Sequence, residues 1–346
     1  MNPVKDFQVN GKRVLLRVDI NVPLKEDGTI LDDFRLRKSI PTIQYIVEQQ
    51  GKCIIIGHLG RPTSRSKKYS LQPIAKRLQE LLGRTVVLLQ DPIGESVKKD
   101  IAEMKPGEVV VLENIRFYKE EKDNDPQFAK KLADLGDLYV NDAFAVDHRA
   151  HASLVGIPKY LPSRMGLLLE KEIHALEKIS TNPKKPFVVV VGGAKVETKA
   201  SFLKAISKHA DAILLGDLIT KEVQEKGVDV SPNTELVYAL NGVDGTFDLG
   251  PRTIQAFCEK IQLAKTICWA GPLGMIEEEK YEKGSLAIAY AIIESKAFAV
   301  VGGGDLVGFL GKHNLREKFS HVSTGGGAML AFLSGEKLPG LEALEK

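Results

Sequence analysis

Dense apolar runs recur along the chain, each cut off by a glycine or polar turn and followed by a stretch whose apolar residues return every third or fourth position. In the first half, Val14–Val18, Cys53–Ile56, Thr85–Leu89, Val109–Leu112 and Leu138–Val140 have the near-continuous, β-rich character of strands buried on both faces. Between them Ile40–Gln50 and Leu71–Leu82 read as helices. The second half repeats the plan, most clearly in Phe187–Lys199. There an apolar run stops at Gly192-Gly193, and Val196, Ala200, Leu203 and Ile206 then mark a helix face. Lys265–Trp269, Phe298–Val301 and His321–Ser323 supply further strands. Strands alternating with helices in this way predict parallel sheets covered on both faces, with ligands beyond the strands' C-terminal ends. An amphipathic stretch over Leu161–Glu177 reads as a helix leading out of the first half into the polar, proline-containing Ser180–Pro186, where the domain junction is expected.

A chain of 346 residues is long for one α/β unit and fits two. Its net charge of +3 is dispersed, so nucleic acid is not an expected partner; the mild basic cluster Arg61–Lys68 lacks the interleaved aromatics of a single-strand binder. Cys53, Cys258 and Cys268 are few, far apart and set in apolar surroundings. They suggest neither a disulfide framework nor a zinc site, and point to a reducing, cytoplasmic setting. The N-terminal stretch has no apolar signal core and no run long enough to span a bilayer occurs, so no membrane association is expected.

Candidate chemistry collects where the strands end. After the first strand stand Arg17, Asp19 and Asn21, with Arg35 in the following turn; the second strand runs into His58 and Arg61, the fourth into Glu113 and Arg116, the fifth into Asn141-Asp142 and then His148, Arg149 and His151. Arginines and histidines beside a few acids suit a small, multiply anionic ligand bearing hydroxyls, because guanidinium holds phosphate or carboxylate in a planar, bidentate way. A metal site on His148 and His151 lacks a third ligand of suitable spacing. In the second half the strand ends carry glycines: Gly192-Gly193, Gly271–Gly274 with Glu277 beyond, Gly302–Gly304 with Asp305, and Gly325–Gly327. Such clusters let backbone amides approach phosphate. Lys195 and Lys199 sit on the helical turn after Gly193, although cations there oppose the helix dipole. Asp305 is the natural Mg2+ carboxylate. A P-loop is excluded, since Leu306 stands where its first glycine would be, and the spacing of Gly302, Gly304 and Gly308 does not fit a dinucleotide fingerprint.

RVDINVPL (17–24), DDFRLR (32–37), GHLGRP (57–62), LENIRF (112–117), NDAFAVDHRAHAS (141–153), GGAKVETK (192–199), DLGPRTI (248–254), GPLGMIE (271–277), VGGGD (301–305) and STGGGA (323–328) together resemble the phosphoglycerate kinase family, in that family's order and over nearly the whole chain. The resemblance implies two doubly wound, Rossmann-like α/β lobes: 1–164 completed by 335–346, a connecting helix 165–180, and a nucleotide-binding lobe 181–334. It implies reversible phosphoryl transfer between 1,3-bisphosphoglycerate with ADP and 3-phosphoglycerate with ATP, Mg2+ accompanying the nucleotide, in a cytoplasmic, glycolytic monomer. Carried over by position, Arg17, Asp19, Asn21, Arg35, His58, Arg61, Arg116 and Arg149 bind the glycerate substrate. Lys195, Lys199, Gly274, Glu277, Gly303, Gly304, Asp305 and Gly325 hold the nucleotide, with Asp305 on the metal. Arg35, Lys195, Lys199, Gly326 and Gly327 attend the migrating phosphoryl group.

The sequence departs from the family around 216–240. A segment that lines the adenine in family members is missing, and Ala212–Glu222 leads through an expected short turn, Val223–Gly227, to Thr234–Leu240. Ala270 and Leu306 replace hydrogen-bonding residues of the pattern. A rival reading is therefore a glycerate-phosphate binder with weak or altered nucleotide use; a nicotinamide dehydrogenase is more distant. The chemistry suits the kinase: a carboxylate nucleophile is already ionised at neutral pH and needs no general base. What it needs is cancellation of charge on the moving PO3 group.

Overall fold

The computed structural model describes residues 2–193 and 199–345. The chain divides into two compact units, the first made of residues up to Lys171 together with those from Lys337 onward, the second of Glu172–Glu336.

The first unit is built on a parallel sheet of β1 (Arg13–Val18), β2 (Lys52–Ile56), β3 (Val86–Leu89), β4 (Val109–Leu112), β5 (Leu138–Asp142) and β6 (Ser163–Met165), in the order β3-β4-β2-β1-β5-β6. Its central strands are buried, as their unbroken apolar runs require: Val14, Leu16, Val18, Cys53, Ile55, Val111 and Val140 pack with Ile43, Ile46 and Leu78 of the flanking helices α1 (Phe34–Glu48) and α2 (Gln72–Leu82). Helix α1 starts before Ile40, because Asp32 Oδ1 accepts from Phe34 N at 3.0 Å and the helix tolerates Pro41.

The connecting helix α3 (Leu167–Ser180) also differs from expectation at its start. Ser163–Met165 instead extend the sheet, and Gly166 N continues the pairing by donating to Asn141 O at 2.7 Å. Asp142 Oδ1 then accepts from Leu168 N at 2.9 Å and Leu169 N at 3.0 Å. A carboxylate distant in sequence thus satisfies the free amides of the first turn and fixes where α3 begins.

The second unit holds β7 (Phe187–Val191), β8 (Ala212–Leu215), β9 (Glu235–Tyr238), β12 (Thr266–Ala270), β13 (Phe298–Gly302) and β14 (His321–Val322), all parallel, in the order β14-β13-β12-β7-β8-β9. An antiparallel hairpin of β10 (Gly242–Val243) and β11 (Asp248–Leu249) stands apart from this sheet. Four helices follow strand ends: α4 (Ala200–Ile206), α5 (Asp217–Lys226), α6 (Gly304–Lys312) and α7 (Gly326–Leu333). The turn expected at Val223–Gly227 is the end of α5; its stop is Gly227, at φ +75°. No helix among the described residues is long and apolar enough to cross a membrane.

Candidate active site

In the first unit the strand ends bring Arg17, Asp19, Asn21, Arg35, His58, Arg116, His148, Arg149 and His151 to one rim. Arg17 is wholly buried; its Nε donates to Ser153 Oγ at 3.0 Å, its Nη1 to Val18 O, and its Nη2 lies 3.2 Å from His58 Nδ1. Since arginine only donates, His58 Nδ1 accepts, and the ring proton of the neutral imidazole sits on Nε2. Burial, and then Arg17, Arg116 and Arg149, hold the His58 pKa well below its usual value, so that imidazole is neutral. Ser153 is anchored in turn by the buried Glu121, which accepts from its N at 2.9 Å and its Oγ at 2.6 Å.

The loops are held as firmly. Asn21 Oδ1 accepts from Gly60 N at 2.8 Å, Asn114 Nδ2 donates to Leu59 O and Tyr69 O at 2.9 Å, and Arg116 Nη1 donates to Gly60 O at 2.9 Å. Arg35 Nη1 donates to Asn21 O at 2.7 Å and lies 3.1 Å from Asp19 Oδ2, yet the Arg35 side chain keeps 28% of its surface in solvent. Arg61 is exposed.

Several donors here have nothing to donate to. Arg116 Nε and Nη2 and His148 Nδ1 are buried without a hydrogen-bond partner among the described residues. His148 Nε2 accepts from Arg149 Nε at 3.2 Å, which puts the proton of its neutral form on Nδ1. His151 Nδ1 has no hydrogen bond either, lying 3.8 Å from Glu121 Oε1. Burial, then Arg149 and Arg17, push the Arg116 pKa down to about 10; burial and the arginines take His151 to about 4. Buried cations and dipoles of one sign, with N–H groups to spare, form a site for an anion.

In the second unit the strand ends come together backbone to backbone. Gly192 N donates to Ala270 O at 3.0 Å, Gly193 N to Pro272 O at 2.8 Å, and Gly271 N to Gly302 O at 3.2 Å. A side chain at Gly192 would overlap the Pro272 carbonyl, and one at Gly326 the backbone of Gly303, so the close approach depends on glycine. Lys199 precedes α4 and its ammonium lies beside Gly193; burial lowers its pKa, with Glu222 opposing. Lys195 falls outside the described residues. Asp305, in the first turn of α6, and Glu277 are exposed. Gly325, whose N donates to Ser323 Oγ at 3.2 Å, precedes α7, and Gly326 and Gly327 open it with the first-turn amides that a helix leaves for an anion. Their loop is fixed by the buried Glu172 of α3, which accepts from Thr324 N at 2.7 Å, Thr324 Oγ1 at 2.8 Å and pairs with His321 Nε2 at 2.7 Å.

The family model described as phosphoglycerate kinase matches residues 4–237 and 217–336. The chain belongs to the phosphoglycerate kinase family. A phosphoglycerate kinase of Dictyoglomus turgidum is 42% identical, the match covering 99% of this chain and 98% of its own length. A cytosolic phosphoglycerate kinase of Nicotiana tabacum is 41% identical over 99% and 97%. Among solved structures, phosphoglycerate kinase from Pyrococcus horikoshii superposes with a TM-score of 0.89 at 34% identity, covering 100% of this chain and 98% of that one; the enzyme from Coxiella burnetii gives 0.84 at 33%, over 99% and 98%.

The departure from other phosphoglycerate kinases is visible in the match itself. The family model aligns in two pieces that overlap over 217–237, and the Dictyoglomus alignment needs 387 positions for a chain of 346 residues. At that place stand α5 and β9, with the β10–β11 hairpin beyond. Gly192, Gly193, Gly216, Asp217, Leu218, Thr246, Pro272, Leu273 and Gly274 line a crevice of only about 30 Å3. Ala270 and Leu306 are buried core residues, at 2% and 0% exposure. Glu121, Asn114, Ser153, Glu172 and Asp217 were not singled out from sequence. Asn114 and Asp217 carried a signal, each a polar residue two positions past a buried strand.

Proposed function

We propose that this chain catalyses reversible transfer of a phosphoryl group between 1,3-bisphosphoglycerate and ADP, giving 3-phosphoglycerate and ATP. The observation that carries the reading is the set of buried, unpartnered donors around Arg116, His148 and His151, whose burial an anionic ligand offsets. Membership of the phosphoglycerate kinase family supports it. Arg116, Arg149, Arg61 and the His58 Nε2 proton would bind the substrate's phosphate. Arg17, buried with a partner at each of its three guanidinium nitrogens, would position His58. Arg35, tied at Nη1 and still partly exposed, keeps donors for the migrating group.

On the second unit, Lys199, Lys195 and the first-turn amides of α7 would meet the nucleotide phosphates, and Glu277 the ribose. Asp305 fits a Mg2+ held mainly by phosphate oxygens and water: it is one exposed carboxylate beside Gly304, and no cluster of three candidate ligands occurs among the described residues. Mg2+ bound there would neutralise phosphate charge. Transfer then needs in-line placement and charge cancellation, with no proton moved.

A coupled assay with 3-phosphoglycerate and MgATP tests the reading. Arg35→Ala should lower kcat by ~10²-fold, the scale of losing one transition-state donor. The small crevice favours a second reading, a glycerate-phosphate binder without turnover. Calorimetric binding of 3-phosphoglycerate with no transfer from or to any nucleotide would establish that reading and overturn the first.

A further inference from the structure

Behind the cationic rim of the first unit lies one carboxylate that a ligand does not touch. Glu121 belongs to the short helix Lys119–Lys122 after β4 and is wholly buried. Both of its oxygens are given to Ser153: Oε2 accepts from the backbone N at 2.9 Å and Oε1 from Oγ at 2.6 Å. His151 Nδ1, 3.8 Å from Oε1, stands beyond hydrogen-bonding distance. Burial raises the Glu121 pKa, while Arg17 and the Ser153 hydrogen bonds pull against it.

Protons counted outward from this carboxylate set the state of the rim. Arg17 Nε only donates, so at 3.0 Å Ser153 Oγ is its acceptor and the hydroxyl proton turns elsewhere. Glu121 Oε1 takes it. A proton on either Glu121 oxygen would face a donor of Ser153, so the carboxylate serves as an ionised, two-sided acceptor. With Nε seated on Ser153 and Nη1 on Val18 O, the guanidinium plane is fixed, and Nη2 meets His58 Nδ1 at 3.2 Å. The His58 proton is then confined to Nε2, the nitrogen left for a ligand.

Resting on the glycerate-phosphate site of the kinase reading, we propose that Glu121 is a positioning residue for the substrate: through Ser153 and Arg17 it holds the His58 proton on Nε2, where the phosphate accepts it. Charge alone predicts the opposite effect. A carboxylate beside Arg17 and Arg116 weakens their pull on an anion, so its removal should tighten binding unless the donors it aligns matter more.

Glu121→Gln separates the two. Glutamine offers one acceptor to the two Ser153 donors, so a donor meets a donor whichever way the amide is turned, and Arg17 loses its seat. The Kd of 3-phosphoglycerate by calorimetry should rise ~10-fold, the scale of one hydrogen bond to a charged group. Nitrogen NMR of the histidine-labelled chain should show His58 as the Nε2–H form alone, and in Glu121→Gln as a mixture with the Nδ1–H form or the imidazolium. In a His58→Ala background the same substitution should weaken binding no further. Should Glu121→Gln fail to fold, Ser153→Ala, which takes the acceptor from Arg17 Nε, carries the same expectations. Binding that tightens or stays equal, a His58 proton unmoved, or an equal loss with and without His58, overturns the role and leaves the kinase standing. Both expected changes without phosphoryl transfer overturn the kinase and leave the role. No binding of 3-phosphoglycerate to the unsubstituted chain overturns both.

Discussion

Arg17 and Arg149 lie close enough to Arg116 to depress its ionisation, all three act on His58, and two of the three are buried. Their recurrence at strand ends is plain in the sequence. The neutral state and tautomer of His58 are not, because they depend on an arginine 41 positions away donating to Nδ1. Lys199 illustrates the same division. Its site on a helix-opening turn is legible, whereas its burial beside Gly193 is a matter of packing. Lys199→Ala should lower kcat by ~10²-fold in the coupled assay while 3-phosphoglycerate binding stays unchanged; a variant of near-normal kcat would remove the residue from the transfer step. Asp147, wholly buried, titrates unusually. Burial raises its pKa from 3.8 to about 7, with Asn141 and Arg17 opposing and Asp142 adding. The native state therefore keeps a proton that the unfolded chain loses, and this stabilisation, full below the unfolded pKa, is lost as pH rises through 7. Relative to Asp147→Asn, the unsubstituted chain should lose about 3 kcal/mol between pH 5 and pH 8 in urea melts. A difference independent of pH would show that Asp147 does not titrate there.

At the level of elements, the strands were readable because sheets buried on both faces need unbroken apolar runs. Boundaries set by distant side chains were not: Asp142 decides where α3 begins, and Glu172 decides how the loop after β14 runs. The β10–β11 hairpin did have a local signal, Asp244-Gly245, with φ of +46° and +87° between two short strands. It passes unnoticed because strands of two residues carry no periodicity. Glu172→Ala would leave the Thr324 N–H and hydroxyl and the His321 ring without their acceptor. It should cost about 3 kcal/mol in unfolding of the second unit, and loosen nucleotide binding through Gly325. Thermal melts with and without nucleotide check both; an unaltered melting temperature would mean that another acceptor takes over.

On the scale of the whole molecule the chain leaves the first unit near Lys171 and returns to it at Lys337. The returning segment buries Leu338, Leu341 and Leu344, at 3%, 7% and 6% exposure, and Gly340 N donates to Asp147 O at 3.0 Å. Ending the chain at Glu336 should therefore destabilise the first unit by on the order of 5 kcal/mol while the unfolding transition of the second is unmoved, as calorimetry would resolve. Loss of both transitions together, or of neither, would contradict this division. The same return has a consequence during synthesis. Whatever emerges first from the ribosome lacks its last piece until Lys337 and the residues after it have been made, so the N-terminal half waits, its apolar face open to chaperones, while the segment encoded after it folds.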